Sequence, residues 1–458
     1  MNVLYSHNDT ITAIATPLGT GGVAVVRISG TKSEKIIAEI FSVSLKEKKV
    51  PDFKANSFYY GRIIDSSGIP VDEVIVLCFK APHSYTGEDV FEIQCHGGIN
   101  VVKNILKLCL KSGARLAQRG EFSKRAFMNG KLDLSKAEAV LDLIHSKTDK
   151  FSKAAAGNLS GNLSKHVNNL RKELLDLLSI MTAAIDFPEE VDEPEYFFLE
   201  EKLKYLIEKI NDILKTANSS NLMRDGLKVA LAGKPNVGKS SLFNALLDTE
   251  RAIVTEIPGT TRDIIQESLD VDGIPVILTD TAGIRDLNIQ NSSDYIESIG
   301  INNTKTCIES ADLILFVYDL TQGMQEEDLA VFEEIKHKKV IKIGSKADLP
   351  HILNDRSDVL VISSKERSGP GLIKNEIKKF LITDDVSGEF CTNTRQQECL
   401  VKSGDSLKQA LNACRNNEIQ DLISIDLKAA LLELGEITGE VVSEEIINNI
   451  FENFCIGK

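Results

Sequence analysis

The stretch GKPNVGKS, residues 233–240, lies between the apolar run LKVALA at 227–232 and the apolar run SLFNALL at 241–247. It matches GxxxxGK[ST] in the strand–loop–helix context that this pattern requires. Its glycines let backbone N–H groups turn inward around phosphates, and the following helix adds the positive end of its dipole. The sequence therefore predicts a phosphate-binding loop, in which Lys239 neutralises the β and γ oxygens and the Ser240 hydroxyl coordinates Mg²⁺.

Four shorter pieces follow in the order that a GTPase needs: PGTTRD at 258–263, DTAG at 280–283, SKAD at 345–348 and SSK at 363–365. Thr261 supplies a second hydroxyl for Mg²⁺, Asp280 holds the ion through water, and the Gly283 amide can bond the γ-phosphate as part of a switch. Asp348 can accept from guanine N1 and N2, which adenine cannot match, and SSK would close over the base. Each piece alone is a plain turn; together they predict a GTPase. The predicted GTP-binding residues are Asn236, Val237, Gly238, Lys239, Ser240, Ser241, Thr255, Glu256, Ile257, Pro258, Gly259, Thr260, Thr261, Asp280, Thr281, Ala282, Gly283, Ser345, Lys346, Ala347 and Asp348.

Two departures from the usual GTPase pattern carry information. Ser345 stands where guanine-specific enzymes usually have the Asn of NKxD; Asp348 is retained, so we expect GTP to bind with weaker affinity. Ile284 follows DTAG, where many signalling GTPases have a glutamine that orients the attacking water. Isoleucine cannot orient water. We therefore expect a nearby carboxylate, and a cation in place of an arginine finger, to assist hydrolysis.

Composition is that of an ordinary globular protein, with 42% hydrophobic and 26% charged residues in 458. No window approaches the ~18 uninterrupted apolar residues of a membrane span, and the first residues lack a signal-peptide pattern. Eight scattered cysteines without a CxxC pair predict a reducing cytoplasm and no structural zinc. The formal charge of −14 argues against nonspecific nucleic-acid binding, although a local basic face could contact RNA.

Periodicity divides the chain into four segments. Strand-like runs alternate with short helices over 1–120, helical stripes such as Leu170, Leu174 and Leu177 follow over 121–220, strands and helices alternate over 221–383, and 384–458 is helical. The Asp272-Gly273 pair predicts a hairpin and one antiparallel edge strand. The predicted fold class is therefore α/β plus all-α, with an N-terminal α/β domain, a discontinuous helical domain and an inserted Ras-like P-loop G domain with a mostly parallel sheet.

Several longer stretches resemble the MnmE (TrmE) family of tRNA-modification GTPases. They are DTITAIATPLGTGGVAVVRISG, SYTGEDVFEIQCHGG, RGEFSKRAFMNGKLDLSKAEAVLDLI, AAIDFPEE, AIVTEIPGTTRD, DTAGIR, EITGE and the final FCIGK. General P-loop GTPases lack the first three and the last. The resemblance covers essentially the whole chain.

That resemblance implies a potassium-activated GTPase whose G domains dimerise across their nucleotides. The residues matching the K⁺ site of the family are Asn236, Thr255, Ile257 and Thr260. A monovalent cation beside the phosphates offsets the charge that an arginine finger would stabilise. The resemblance thus supplies the cation that was expected because Ile284 cannot orient the attacking water. The water-activating glutamate of the family lies in an ExIG stretch, here ESIG, and so corresponds to Glu297. From the residues alone, Glu297 is equally a solvated helix carboxylate.

The resemblance also implies that segment 1–120 is a dimerisation domain that binds 5-formyl- or methylene-tetrahydrofolate. The matching residues are Arg27, Glu92, Lys131 and Lys458. Strand alternation places Glu92 on one face with Gln94 and His96, and Phe91, Ile93 and Cys95 on the other. A carboxylate suits the pterin edge and cations suit the glutamate tail. A merely solvated polar face is the alternative that the alternation leaves open.

The implied function is GTP hydrolysis that drives addition of a (carboxymethyl)aminomethyl group to C5 of the wobble uridine of certain tRNAs. The implied partners are a second copy in a homodimer, an FAD-dependent protein of the MnmG (GidA) type, and tRNA, with no membrane. Two other functions stand beside this one: a ribosome-assembly or RNA-binding GTPase, and a folate-dependent transferase with a regulatory G domain.

The final FCIGK has a cysteine fourth from the end, the position of a prenylation box. Gly457 and Lys458 are poor residues for such a box. A buried structural cysteine is the plainer alternative, because Phe451 and Phe454 precede it on one helix face. The family resemblance instead places Cys455 and Lys458 near the folate pocket, with Cys455 as a catalytic candidate. Nucleophile, ligand and packing remain open roles for its thiol.

Overall fold

The computed structural model describes residues 9–44, 49–248, 266–280, 306–350, 358–363, 368–381 and 390–458. By contact density the chain divides into two compact units. The first comprises 1–141, 167–171 and 431–458, and the second comprises 142–166 and 172–430. The domain boundaries expected near 120, 220 and 384 remain predictions.

A seven-stranded sheet among the described residues forms the centre of the first unit. Its strands lie in the order β3-β4-β5-β6-β2-β1-β7. Neighbours run antiparallel except β1 and β7, which pair in parallel. The strands are β1 (Ile11–Ile14), β2 (Gly21–Ser29), β3 (Phe41–Ser42), β4 (Ser57–Ile64), β5 (Pro70–Phe79), β6 (Val90–Gly97) and β7 (Arg115–Leu116).

One face of this sheet packs against two helices, α1 (Ser33–Ile40) and α2 (Ile99–Lys111). Phe91, Ile93 and Cys95 of β6 point into that core and are almost fully buried. The intervening Glu92 and Gln94 lie on the opposite face and are only partly buried. The alternation predicted for this strand is therefore confirmed.

The second unit contains a six-stranded sheet among the described residues, in the order β13-β12-β11-β8-β10-β9. All its neighbours run parallel except the hairpin β9–β10, whose turn at Asp272 and Gly273 has positive φ angles of 54° and 84°. These strands are β8 (Leu227–Ala232), β9 (Gln266–Val271), β10 (Ile274–Asp280), β11 (Leu313–Asp319), β12 (Val340–Ser345) and β13 (Val359–Val361). The predicted mostly parallel sheet with one antiparallel edge strand is confirmed, and with it the fold class.

Helices account for most of the remaining described structure. The α3–α9 helices are α3 (Glu121–Met128), α4 (Leu134–His145), α5 (Asp149–Leu159), α6 (Asn162–Asp186), α7 (Tyr196–Lys215), α8 (Ala217–Asp225) and α9 (Lys239–Asp248). The later ones are α10 (Glu326–Ile335), α11 (Ser368–Leu381), α12 (Thr394–Arg415), α13 (Gln420–Thr438) and α14 (Glu444–Glu452). Within the second unit α7 packs along α12. None of the helices in the described ranges has both the length and the hydropathy that crossing a bilayer requires.

Helix starts follow the capping residues in the sequence. Ser443 caps α14 by accepting from the Ile446 N–H at 3.4 Å, and two glutamates occupy the first turn. Thr148 caps α5 in the same way, accepting from the Phe151 N–H at 3.4 Å. Such side-chain acceptors satisfy N–H groups that a helix end leaves without partners.

Candidate functional site

The phosphate-binding motif forms the turn between β8 and α9, as the sequence predicts. Gly233 has a φ of +144°, and a Cβ at this position would lie 2.1 Å from the Val317 carbonyl oxygen. The backbone of the loop therefore passes too close to β11 for any side chain. Asn236 also has a positive φ, of 63°, which asparagine tolerates better than most residues. The local sequence thus fixes a sharp turn that leads into the start of α9.

Lys239 and Ser240 begin α9 inside this turn. Lys239 is almost fully buried, and its Nζ donates to the carbonyl oxygens of Gly233 at 2.8 Å and Lys234 at 2.6 Å. The Ser240 hydroxyl donates to Asp280 Oδ2 at 3.0 Å. A hydroxyl and a carboxylate held at this distance are the hard oxygen ligands that Mg²⁺ prefers. The residues present therefore fit the predicted cation.

The segment predicted to bind the base lies next to the same loop. The Ser345 hydroxyl is 2.6 Å from the Val237 carbonyl oxygen and 3.0 Å from that of Tyr318. Asp348 is oriented by the Ser363 hydroxyl, which donates to its Oδ1 at 2.9 Å. Ser345 thus links the base-binding segment to the phosphate-binding loop.

Lys346, in the same segment, pairs with a carboxylate that the sequence analysis had not assigned. Its ammonium lies 2.6 Å from Asp319 Oδ2. Burial raises the pKa of Asp319, and hydrogen bonds from Lys346 and Thr321 outweigh it, so the pKa is lowered overall. The pair holds Lys346 against the end of β11. Asp319 could have been found as the last residue of the run DLILFVYD, at the edge where the other motifs end.

These groups meet because the parallel strands end at one edge of the sheet. The loop follows β8, Asp280 ends β10, Asp319 ends β11 and Ser345 ends β12. Ligands of open α/β sheets bind at this carboxyl edge. Gly238, Ser241 and Ala347 lie in the same described segments, whereas the other predicted residues of the nucleotide site lie outside the described residues: Thr255, Glu256, Ile257, Pro258, Gly259, Thr260, Thr261, Thr281, Ala282, Gly283 and Glu297.

A second cluster lies in the first unit, around Arg27 of β2. Arg27 Nε donates to Glu92 Oε1 at 2.8 Å, across the paired strands β2 and β6. The guanidinium carbon also lies 5.4 Å from the ring centroid of Tyr85 and 5.5 Å from that of Phe122. Two cation–π contacts and an ion pair hold the guanidinium in one orientation. Neither aromatic residue was predicted as part of this site, although the stretches SYTGEDV and RGEFS contain them.

The segment 455–458 joins this cluster. Arg27 Nη1 donates to the Gly457 carbonyl at 3.0 Å, and the Phe122 N–H donates to the Lys458 carbonyl at 3.2 Å. Ile456 forms an antiparallel bridge with Arg119. Burial, and then the charge of Arg27, lower the pKa of the half-buried Lys458 amine. Arg27, Glu92 and Lys458, predicted as one site, are therefore neighbours.

The other two predicted residues of this region lie as follows. Lys131 is exposed and donates to the Pro82 carbonyl at 2.9 Å. It lines an open depression of about 460 Å³ together with Phe127 and Gly439. Cys455 is exposed, whereas the other seven cysteines are buried. The alternative of a buried structural cysteine is therefore wrong, because the Cys455 thiol is accessible to solvent.

Comparison with known families covers both parts of the chain. Residues 10–131 match the model described as GTP-binding protein TrmE N-terminus, and residues 134–455 match that described as MnmE helical domain. The protein named tRNA modification GTPase MnmE from Thermoanaerobacter pseudethanolicus is 42% identical, with 98% of this chain and 99% of the relative aligned. The protein of the same name from Clostridioides difficile has the same identity and coverage.

Two of the solved structures that this chain resembles align with part of it. A structure of an Aquifex aeolicus Era variant bound to GDP and AlF4 is 26% identical over 39% of this chain and 66% of that one, with a TM-score of 0.26. The G domain of the T. maritima FeoB iron transporter is 29% identical over 34% of this chain and 96% of that one, with a TM-score of 0.23.

Proposed function

This chain belongs to the MnmE family of tRNA modification GTPases, and on that premise we propose that it hydrolyses GTP to GDP and phosphate as part of tRNA modification. Hydrolysis drives addition of a (carboxymethyl)aminomethyl group to C5 of the wobble uridine of certain tRNAs, together with an FAD-dependent partner of the MnmG type. The observation that carries the proposal is the convergence of Lys239, Ser240 and Asp280 at the carboxyl edge of a parallel sheet.

Each of these side chains has a defined part in binding GTP. Lys239 exchanges its two loop carbonyl acceptors for β- and γ-phosphate oxygens. Ser240 and Thr261, with Asp280 acting through water, would hold Mg²⁺, which would neutralise charge on the phosphates. Asp348, already oriented by Ser363, accepts from the guanine edge. The Ser240–Asp280 and Ser363–Asp348 hydrogen bonds orient these side chains before the nucleotide arrives, whereas Lys239 must exchange its acceptors.

A potassium ion is the proposed activator, held by Asn236 with Thr255, Ile257 and Thr260. Glu297 is the proposed base that orients the attacking water. We expect the GTPase rate to rise strongly in K⁺ and to respond little to Na⁺ at matched ionic strength. Equal rates in the two salts would remove the cation from the proposal without affecting GTP binding.

The Arg27 cluster is the proposed site for 5-formyl- or methylene-tetrahydrofolate. Glu92 offers a carboxylate to the pterin, and Lys458 and Lys131 offer cations to the glutamate tail. Support comes from the chemistry of the residues: an ion pair whose two members are only 14% and 19% exposed, next to an amine of lowered pKa. Such partly buried, mutually oriented charges are typical of ligand sites. Cys455 is the proposed reactive thiol beside it.

A homodimer is supported by the outer face of the seven-stranded sheet. Phe58 and Tyr60 of β4 are 71% and 61% exposed, Ile75 of β5 is 38% exposed, and Val23 of β2 is 64% exposed. Exposed apolar residues that share one face of a sheet mark an interaction surface, because another layer would bury them. A second copy, related by a two-fold axis, would present the same apolar residues to it. Phe58→Glu with Tyr60→Glu is expected to halve the mass measured by light scattering, and Leu372→Glu, at an exposed site of α11, serves as the control.

Mass spectrometry of tRNA from a deletion strain tests the proposed function as a whole. Wobble uridines are expected to lose the modification and to regain it with the wild-type gene. A Lys239→Ala gene is not expected to restore it, because the variant cannot bind the phosphates. Unchanged wobble uridines in the deletion strain would contradict the proposed function.

A further inference from the structure

One end of the second unit exposes large apolar side chains on two adjoining segments. Phe197, in the first turn of α7, is 71% exposed; Ile419, just before α13, is 64% exposed, and Leu422 is 46% exposed. Single exposed apolar residues are normal, but several on adjoining segments mark interaction sites. We call these three residues, with the acidic residues Glu193, Glu195, Glu418 and Asp421 on the same segments, the acidic-apolar surface.

Two hydrogen bonds join the two segments, and a third joins the start of α7 to α12. The Tyr196 hydroxyl donates to the Glu418 carbonyl at 2.8 Å, and Gln420 Nε2 donates to the Pro194 carbonyl at 2.9 Å. The Cys414 thiol donates to the Tyr196 carbonyl at 3.2 Å. Gln420 is almost fully buried, whereas the bond between Tyr196 and Glu418 is exposed to solvent. The surface is therefore ordered in advance, which lowers the entropic cost of binding a partner.

The charge on these segments is mostly negative, although Arg415 pairs with Glu200, and Lys204 pairs with Glu200 and Glu201. The stretch DFPEEVDEPEYFFLEE, residues 186–201, contains eight acidic residues and no Lys or Arg. Burial and then Glu193 raise the pKa of the Tyr196 hydroxyl, and burial and then Glu418 raise the pKa of Asp426. Both shifts have the direction that a local negative field produces.

This charge decides which kind of partner fits. The phosphates of tRNA and of anionic lipids would be repelled by it. A second copy of this chain across a two-fold axis would bring the same carboxylates against each other. A protein that presents Lys and Arg around an apolar patch would pair with the carboxylates and bury the exposed apolar side chains.

We propose that the acidic-apolar surface is a docking site for a basic, partly apolar surface of a different protein. The inference rests on the proposed function, because that function names the FAD-dependent protein as the partner of this chain. The acidic residues steer the encounter and set the association rate, and Phe197 and Ile419 enter apolar pockets and set the dissociation rate.

The experiment measures binding of the purified FAD-dependent partner to the full chain by interferometry at two salt concentrations. Glu193→Lys with Glu195→Lys is expected to slow association about tenfold at low salt, and less at high salt. Phe197→Ala with Ile419→Ala is expected to speed dissociation about tenfold or more. The matched controls, Leu372→Ala and Glu333→Lys with Glu334→Lys, lie on exposed positions of α11 and α10 and are expected to behave like wild type.

The outcomes separate the inference from the proposed function. All variants should retain wild-type GTPase activity, because the altered residues lie outside the nucleotide site. Partner binding that every variant retains would overturn the inference alone. A wild-type chain that does not bind the FAD-dependent protein would contradict the proposed partnership, and the inference with it. If fluorescent tRNA binds the wild type and loses affinity in the Phe197→Ala, Ile419→Ala variant, the surface binds RNA and the inference is wrong.

Discussion

The Ser345 hydroxyl lies 2.6 Å from the Val237 carbonyl oxygen, so the end of β12 is tied directly to the phosphate-binding loop. The same hydroxyl lies 3.0 Å from the Tyr318 carbonyl at the end of β11. A hydroxyl carries one proton and can fully satisfy only one of these two buried carbonyls. An asparagine amide carries two protons and could satisfy both. The departure from NKxD therefore keeps the link between the two segments but weakens it.

Substitutions at Ser345 should change nucleotide affinity in opposite directions. Ser345→Ala removes the hydroxyl donor from two buried carbonyls, which costs about 1–3 kcal/mol. We expect its affinity for GDP and GTP to fall about tenfold or more. Ser345→Asn supplies two donors and should bind both nucleotides more tightly than wild type. Titration with a fluorescent GDP analogue measures both. Wild-type affinity in Ser345→Ala would show that the link does not support the loop.

The Arg27–Glu92 pair leads to a prediction for folate binding. Glu92→Gln removes the charge and leaves the Arg27 guanidinium without its carboxylate partner. We expect affinity for 5-formyl-tetrahydrofolate, measured calorimetrically, to fall about tenfold or more. Glu73→Gln is the matched control, because Glu73 is an exposed carboxylate on the neighbouring strand β5, bonded to the Tyr60 hydroxyl. If folate affinity fell equally in both variants, the loss would come from a general change in the sheet and not from the Arg27–Glu92 pair. GTP hydrolysis should remain unchanged in both.

Docking of segment 455–458 depends on Gly457. Its φ is +96°, and a Cβ there would lie 2.4 Å from the Ile14 carbonyl oxygen, so Gly457→Ala cannot be accommodated without displacing the segment. The Phe122 N–H, which donates to the Lys458 carbonyl, should then exchange with solvent about tenfold faster by hydrogen exchange. Gly113→Ala is the control, because Gly113 has a similar φ of +105° but open space around its Cβ position. Faster exchange at Phe122 in both variants would mean that backbone strain alone is responsible.

Local sequence patterns predicted those structural elements whose conformation is set by residues nearby in the sequence. The strand–loop–helix around Lys239, the hairpin at Gly273 and the alternation around Glu92 all follow from short-range periodicity and turn chemistry. Contacts between distant segments could not be predicted in this way. Arg27 meets Gly457 across 430 positions, and its stacking on Phe122 depends on how α3 packs, which no repeat or turn encodes.

Ser345 illustrates a second limit. Its departure from the usual pattern was visible in the sequence and predicted weaker nucleotide binding. The two carbonyl oxygens that explain this expectation belong to segments 27 and 108 positions away. Side-chain hydrogen bonds of this kind are set by tertiary packing rather than by local propensity. The motif alone predicts weaker nucleotide binding, and the hydrogen bonds of Ser345 give a physical reason for it.

The hairpin between β9 and β10 makes a contact that the sequence did not indicate. The Thr148 hydroxyl donates to the Gly273 carbonyl at 2.8 Å while also capping α5. A Cβ on Gly273 would lie 2.7 Å from the Lys150 Cβ, so the turn packs tightly against the start of α5. This turn lies between the two sequence segments that contain the predicted switch residues, 258–263 and 280–283. Because β10 runs from Ile274 to Asp280, the turn lies at the end of this strand away from Asp280 and the nucleotide site.

Thr148→Val keeps the shape of the side chain but removes both the cap and the bond to Gly273. Loss of the cap costs about 1 kcal/mol, and loss of the bond about another 1 kcal/mol, so the Phe151 amide should exchange about thirtyfold faster. Ser443→Ala isolates the cap, because Ser443 caps α14 with the same 3.4 Å geometry, and the Ile446 amide should exchange only about fivefold faster. Thr148→Ser should restore slow exchange, since it retains the hydroxyl. Equal acceleration in Thr148→Val and Ser443→Ala would show that the bond to the hairpin adds nothing to the stability of α5.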